Sequence, residues 1–144
     1  MKSMKTLLAV AVMLVATMGS ALARTWTSGG CTVTLENGVM TVSKSSDGNG
    51  IMADYDDDSN RPWDGSKYQV LSIVVSEGVT KIGSRAFSYM EKATSVTLPA
   101  SVTVIGDRAF LNWGVQAKSR VINYTGTVEQ WCSIEFNSAS NTNY

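Results

Sequence analysis

The chain has 144 residues, 44% of them hydrophobic and 17% charged. That length suits one modest domain, and the composition suits a packed core rather than a disordered or collagen-like chain. Twelve basic side chains balance twelve acidic ones, so no positive excess exists to neutralise a phosphate backbone, and nucleic acid is set aside as a partner. Histidine is absent and cysteine occurs twice, which excludes a Ser-His-Asp or Cys-His nucleophile and a structural zinc site made of Cys and His.

In chain order, Lys2 and Lys5 precede an apolar run from Leu7 to Met18, and Ala21-Leu22-Ala23 then supplies small residues where a signal peptidase reads. The run falls short of the ~20 apolar residues that cross a hydrocarbon core. Residues 1–23 are therefore read as a secretory signal peptide cut near Ala23 rather than as a membrane span. Cleavage leaves 121 residues with ten basic and twelve acidic side chains. No cysteine directly follows the cut and no second apolar stretch exists, so the mature chain is expected to be secreted or at the cell surface, with no membrane span.

Residues 24–69 are expected to form an N-terminal cap of β-hairpin and loop. Asn37-Gly38 tolerates the two positive φ angles of a type I′ turn. A two-residue loop pairs Leu35 with Met40 and Val33 with Val42 on one face, and Thr34 with Thr41 on the other. Cys31 shares the apolar face, which favours a buried, inert thiol. Between Lys44 and Gln69 the periodicity stops, yet Ile51, Met52, Tyr55 and Trp63 are expected to fold this irregular segment back onto the sheet.

From Val70 the chain repeats itself. Val79-Thr80-Lys81-Ile82-Gly83-Ser84-Arg85-Ala86-Phe87 returns 23 residues later as Val102-Thr103-Val104-Ile105-Gly106-Asp107-Arg108-Ala109-Phe110, and the same step carries Ile73 to Val96 and Val75 to Leu98. A degenerate third copy begins near Ile122 and Tyr124 at a step of 26, after an insertion around Trp113 to Ser119. This spacing predicts an α/β leucine-rich-repeat coil over residues 70–136, each turn giving a short strand and a helical or irregular return. Ile73, Val75, Val96 and Leu98 point inward along their strands. Ser84 and Asp107 are expected to cap short helices starting at Arg85 and Arg108. Thr127-Val128-Glu129-Gln130 reads as a capping box opening a last helix, through Trp131 and Ile134, that covers the final coil. Residues 137–144 are a polar tail.

The doubled motif from Gly78 to Phe87 and from Ser101 to Phe110, with Leu98-Pro99 ending a repeat strand, resembles the BspA-type leucine-rich repeats of bacterial surface proteins. Gly50 to Tyr55 with Pro62-Trp63 is similar to the segment that precedes the first repeat in that family, and Tyr124 to Trp131 to the segment that ends the array. The resemblance implies a short right-handed solenoid, two clear repeats and a degenerate third, on a secreted or surface protein. It also implies adhesion-type binding of a host-matrix or cell-surface protein or glycan.

Asp54, Asp56 and Asp58 alternate as in the start of a calcium loop, but Ser59 stands where a turn glycine is required and Gly65 where a bidentate glutamate belongs. A solvated acidic loop is the favoured reading. Cys31 and Cys132 lie 101 residues apart, towards opposite ends of the coil, which favours two separate thiols over a bridge. Carboxylate pairs such as Asp56 and Asp64, or Glu129 and Glu135, are ordinary surface charge, since nothing holds them at a glycosidase separation. No catalytic, metal-binding or cofactor-binding residue is assigned, and no cofactor is expected.

Trp63 and Trp131 are expected where caps meet the coil, whereas Trp113, in the insertion, is the candidate for an exposed contact residue. The outward strand positions Ser72, Val74, Ser95, Thr97, Val121 and Asn123 form the candidate partner-binding face. The leading expectation is an exported, non-catalytic binding protein. The alternatives are a structural, self-associating assembly unit or the remnant of a longer surface adhesin and, further back, an exported hydrolase.

Overall fold

The computed structural model describes residues 22–137. Most of residues 1–23, expected to be a signal peptide, and of the expected polar tail, 137–144, therefore lie outside the described residues. Among the described residues nine strands form two sheets, and one short α-helix lies outside them. The larger sheet has six strands in the order β1 (Arg24–Ser28), β2 (Cys31–Glu36), β3 (Val39–Lys44), β4 (Ser72–Val75), β6 (Ser95–Leu98) and β8 (Val121–Tyr124). The smaller stacks three two-residue strands, β5 (Lys81–Ile82), β7 (Val104–Ile105) and β9 (Glu135–Phe136). The helix, α1, spans Val128–Cys132.

The hairpin has the register that its sequence predicts, with Leu35 opposite Met40, Val33 opposite Val42 and Thr34 opposite Thr41. Asn37 and Gly38 take φ of 49° and 80°, the left-handed pair required by the turn. Two features add to the expected cap. A third antiparallel strand, β1, starts at Arg24 and pairs Thr25 with Thr34 and Trp26 with Val33. The hairpin then joins the repeats directly, because β3 runs parallel to β4 with Met40 beside Ile73 and Val42 beside Val75.

Successive repeats lie side by side. Ile73 pairs with Val96 and Val96 with Ile122 in one sheet, while Ile82 pairs with Ile105 and Ile105 with Phe136 in the other. Between the sheets lies a single core. Ile73, Ile82, Phe87 and Ile105 are wholly buried, and the Phe87 and Phe110 rings stack with centroids 5.3 Å apart. Each fully buried side chain of this size contributes about 1.5–3 kcal/mol, and none is sheltered within its own turn.

The return segments differ from the expected helices. Residues 84–89 form consecutive turns, and Arg85 and Tyr89, like Arg108 and Asn112 in the next repeat, adopt φ between 53° and 57°. The alternate amides of the first return bond across to the second instead of along a helix. Arg85 donates to the Asp107 carbonyl at 2.9 Å, Phe87 to Ala109 at 2.8 Å and Tyr89 to Leu111 at 2.7 Å. Alternate residues thus point their N–H at the neighbouring turn, which a helical path would turn along its own axis. The glycine at each corner is fixed by proximity: a Cβ on Gly83 would overlap the Ala53 carbonyl oxygen, and one on Gly106 the Ser84 amide nitrogen.

The segment before the repeats is anchored as expected at Met52 and Trp63, which are 1% and 0% exposed, but Ile51 remains 41% exposed although it bridges to Lys81. The Trp63 Nε1 donates to the Ala86 carbonyl at 3.0 Å. Its ring meets Tyr55 and Trp26 edge-on, which closes the N-terminal end of the core. At the other end, Thr127 and Gln130 form the reciprocal capping box. The helix they open is only five residues long and stops before Ile134; Trp131 is its one partly buried side chain, packed against the core, and Ile134 just beyond it is 6% exposed. Val128 on it is 74% exposed, and Ile122 and Tyr124 of β8 are half-buried and packed against the core.

Candidate functional site

The six sheet positions singled out from the sequence fall into two straight cross-strand rows. Ser72, Ser95 and Val121 are neighbours in one, and Val74, Thr97 and Asn123 in the other. Their inward neighbours Ile73, Val75, Val96 and Leu98 are buried, so the pleat turns these six to the opposite side. Ser72, Val74, Ser95 and Thr97 are partly exposed, and Val121 and Asn123 are exposed.

Both rows continue beyond the repeats. The first extends through Val39 to Glu36, and the second through Thr41 and Thr34 to Thr25. Along these rows Glu36 is the one charged residue. The rest are hydroxyl, amide or β-branched apolar side chains, on a surface whose backbone is held by hydrogen bonds from strand to strand. The sequence places Thr34 and Thr41 together on the polar side of the hairpin, but it carries no signal that β3 pairs with β4, so this half of the face is invisible before the fold is known.

Trp113 does not belong to the face. It is 1% exposed, its ring meets Phe110 edge-on, and the Arg120 guanidinium lies 5.7 Å from the ring centroid on its other contact. The inserted turn folds the indole into the core because Gly114, at φ 62°, reverses the chain within reach of the Ala93 carbonyl and the Arg120 side chain. The expectation of an exposed contact residue there is corrected. Trp131 is half-buried, against the edge of Tyr124.

The acidic segment is more engaged with the protein than a solvated loop would be. Asp54 accepts from the Ser84 amide at 2.8 Å and from the Lys81 ammonium at 2.6 Å. Burial raises its pKa, but these donors outweigh that and hold it below the ordinary carboxylate value. Asp57 caps a short 3-10 turn at Asp58–Asn60, and Asp58 accepts from Ser88 and sits 3.7 Å from Arg85. Asp54, Tyr55, Asp56, Ser84, Arg85 and Asp107 line an open polar groove of about 610 Å³ on this side. Among the described residues no group of three His, Cys, Asp or Glu side chains is arranged to hold a metal ion. Cys31 and Cys132 are both free, the first buried and the second exposed; burial pushes the Cys31 thiol pKa up. Among the described residues no helix is long and apolar enough to cross a membrane.

Residues 66–143 match the family model described as a BspA type leucine rich repeat region of six copies. Among solved structures, the chain is similar to a leucine-rich repeat protein from Eubacterium ventriosum ATCC 27560, at 29% identity and a TM-score of 0.62. The likeness covers 73% of this chain but 27% of that one. No curated protein matches the sequence.

Proposed function

Because the chain belongs to the BspA-type leucine-rich-repeat family, we propose that it is an exported, non-catalytic protein that binds a protein or glycan partner through the outward face of its six-stranded sheet. The reading includes a signal peptide over residues 1–23, an N-terminal cap over 24–69 and a short right-handed coil over 70–136, placed at the cell surface or released from it.

The observation that carries the reading is the pair of in-register rows through Ser72 and Val74. Such a face is preorganised. Its strands are fixed by the ladder and its side chains are short, so docking orders little and loses little entropy. It is also nearly free of charge, so the fitting partner presents uncharged hydroxyl, amide or apolar groups rather than a polyanion. Catalysis has no comparable support, because a chain with no histidine offers neither a Ser-His nor a Cys-His nucleophile.

The test is a binding screen of the purified protein against matrix proteins and glycan arrays, repeated with Thr97→Arg. Thr97 lies between Val74 and Asn123 in its row and is partly exposed, so the substitution places a long cation where the partner would sit without touching the core. Affinity for a true ligand should fall by about tenfold or more, on the order of 1.4 kcal/mol. A ligand whose affinity ignores the change binds elsewhere, and the sheet face is then the wrong surface.

A further inference from the structure

We propose that the margin of the sheet face at which β4, β6 and β8 begin docks an acidic, partly apolar segment of a partner protein. The inference rests on the sheet-face reading and names the chemistry of the partner. Next to the row of Val39, Ser72, Ser95 and Val121 the backbone adds one more row. The Leu71 amide donates to the Gly38 carbonyl at 2.8 Å, Thr94 to Leu71 at 2.8 Å and Val121 to Thr94 at 3.0 Å. Leu71, Thr94 and Arg120 therefore stand in order where the strands begin. Leu71 is 52% exposed, and Val39 and Val121 in the adjoining row are 39% and 49% exposed, so aliphatic side chains face solvent along this margin.

Charge singles out the same margin. Among the described residues Arg24, Lys92, Lys118 and Arg120 have no ion pair, in contrast to Arg61, Lys67, Lys81, Arg85 and Arg108. Lys92 comes just before β6, and Lys118 and Arg120 just before β8; all three are exposed, Arg120 even though its guanidinium also lies over Trp113. Arg24 lines a cavity with Gly38 and Gln69 at this margin. Of the acids on the segments here, Asp64 pairs with Arg61 and Lys67, and Glu91 accepts from the Gln116 amide, which leaves Glu36. The segments that follow β3, β4 and β8 instead carry exposed Asp47, Glu77 and Glu129, with Lys44 at the end of β3. The face thus runs from a cationic margin, across rows of little charge, to a mainly acidic one. A partner fits in one orientation, with carboxylates against Lys92, Lys118 and Arg120 and apolar side chains against Leu71, Val39 and Val121. A sulfated polysaccharide would meet the cations but offers nothing apolar to the aliphatic groups, so the two observations together favour a polypeptide.

The experiment is selection from a phage-displayed random peptide library on the purified protein, followed by fluorescence anisotropy of the recovered peptides. They should be enriched in Asp and Glu together with aliphatic or aromatic residues, and their affinity should fall as salt rises from about 0.05 to 0.3 M. Lys118→Glu should weaken binding about fivefold or more, whereas Lys44→Glu, the same charge change at an exposed, unpaired cation away from the margin, should leave it within about twofold. Lys92→Glu serves as the second variant if Lys118→Glu lowers the thermal midpoint. Recovery of neutral or basic peptides, or of none, overturns the proposal, as do equal losses from Lys118→Glu and Lys44→Glu. Tighter binding of heparin fragments that Lys118→Glu also abolishes would make the partner a sulfated glycan and overturn it too. The two readings fail separately. A matrix-protein ligand lost with Thr97→Arg but indifferent to Lys118→Glu ends this proposal and leaves the sheet face standing, whereas one that ignores Thr97→Arg refutes the sheet face itself.

Discussion

Arg61 carries a full charge into the interior: its side chain has no solvent exposure, and its guanidinium donates to the Arg85 carbonyl at 2.9 Å, to the Ser88 carbonyl at 2.6 Å and to Asp64 at 2.8 Å. It thereby fastens the segment before the repeats onto the return of the first one. A buried cation is stabilising only while its partners are in place, which makes Asp64 the residue to perturb. Burial raises the Asp64 pKa, but hydrogen bonds and attraction from Arg61 and Lys67 outweigh it and hold the carboxyl below its ordinary value. Its contribution is therefore complete above about pH 4, where the unfolded carboxyl is also ionised, and fades as pH falls through the lower folded-state value. Asp64→Asn should cost about 1.5–3 kcal/mol at neutral pH in denaturant unfolding. The gap to the parent should narrow by pH 3. A gap of the same size at both pH values would mean that the carboxylate charge is not what matters.

The elements show which physical signals the sequence carries and which it does not. Strand alternation and the Asn37-Gly38 turn are local, so the hairpin register and the inward faces of β4 and β6 are readable in advance. The 23-residue step likewise sets Ile73 beside Val96, as observed. The pairing of β3 with β4 and the existence of β1 depend on tertiary partners, and the sequence around Arg24 and Thr41 gives no local sign of them. The returns are misread for a related reason. Ser84 looks like an N-cap, yet the alternate amides that a helix would bond internally are taken by the next turn, through Asp107, Ala109 and Leu111. Trp113 looks exposed because it sits in an irregular insertion, and is buried because that insertion folds inward. Close approach of turns at the corners gives a sharp prediction. Gly106→Ala drives a methyl into the Ser84 backbone and should cost about 2–3 kcal/mol or more, whereas Gly65→Ala, with nothing within 4 Å, should stay within about 0.5 kcal/mol. Equal effects of the two in thermal unfolding would remove the argument for tight corners.

At the level of the whole molecule, one core runs from Trp63 to Ile134, and the outward rows are flat and ordered because the inward rows are locked. The binding reading depends on this: a face is a reliable docking surface only if its strands do not move independently. The most direct check is a double-mutant cycle on Phe87 and Phe110, whose rings lie 5.3 Å apart in successive repeats. Each alanine substitution alone should cost about 3–5 kcal/mol by denaturant unfolding. If the repeats share one core, the double variant should lose less than the sum of the singles by about 0.5–1.5 kcal/mol. Strict additivity, to within about 0.3 kcal/mol, would mean that the two repeats do not shelter each other, and the stacked-coil account would fail.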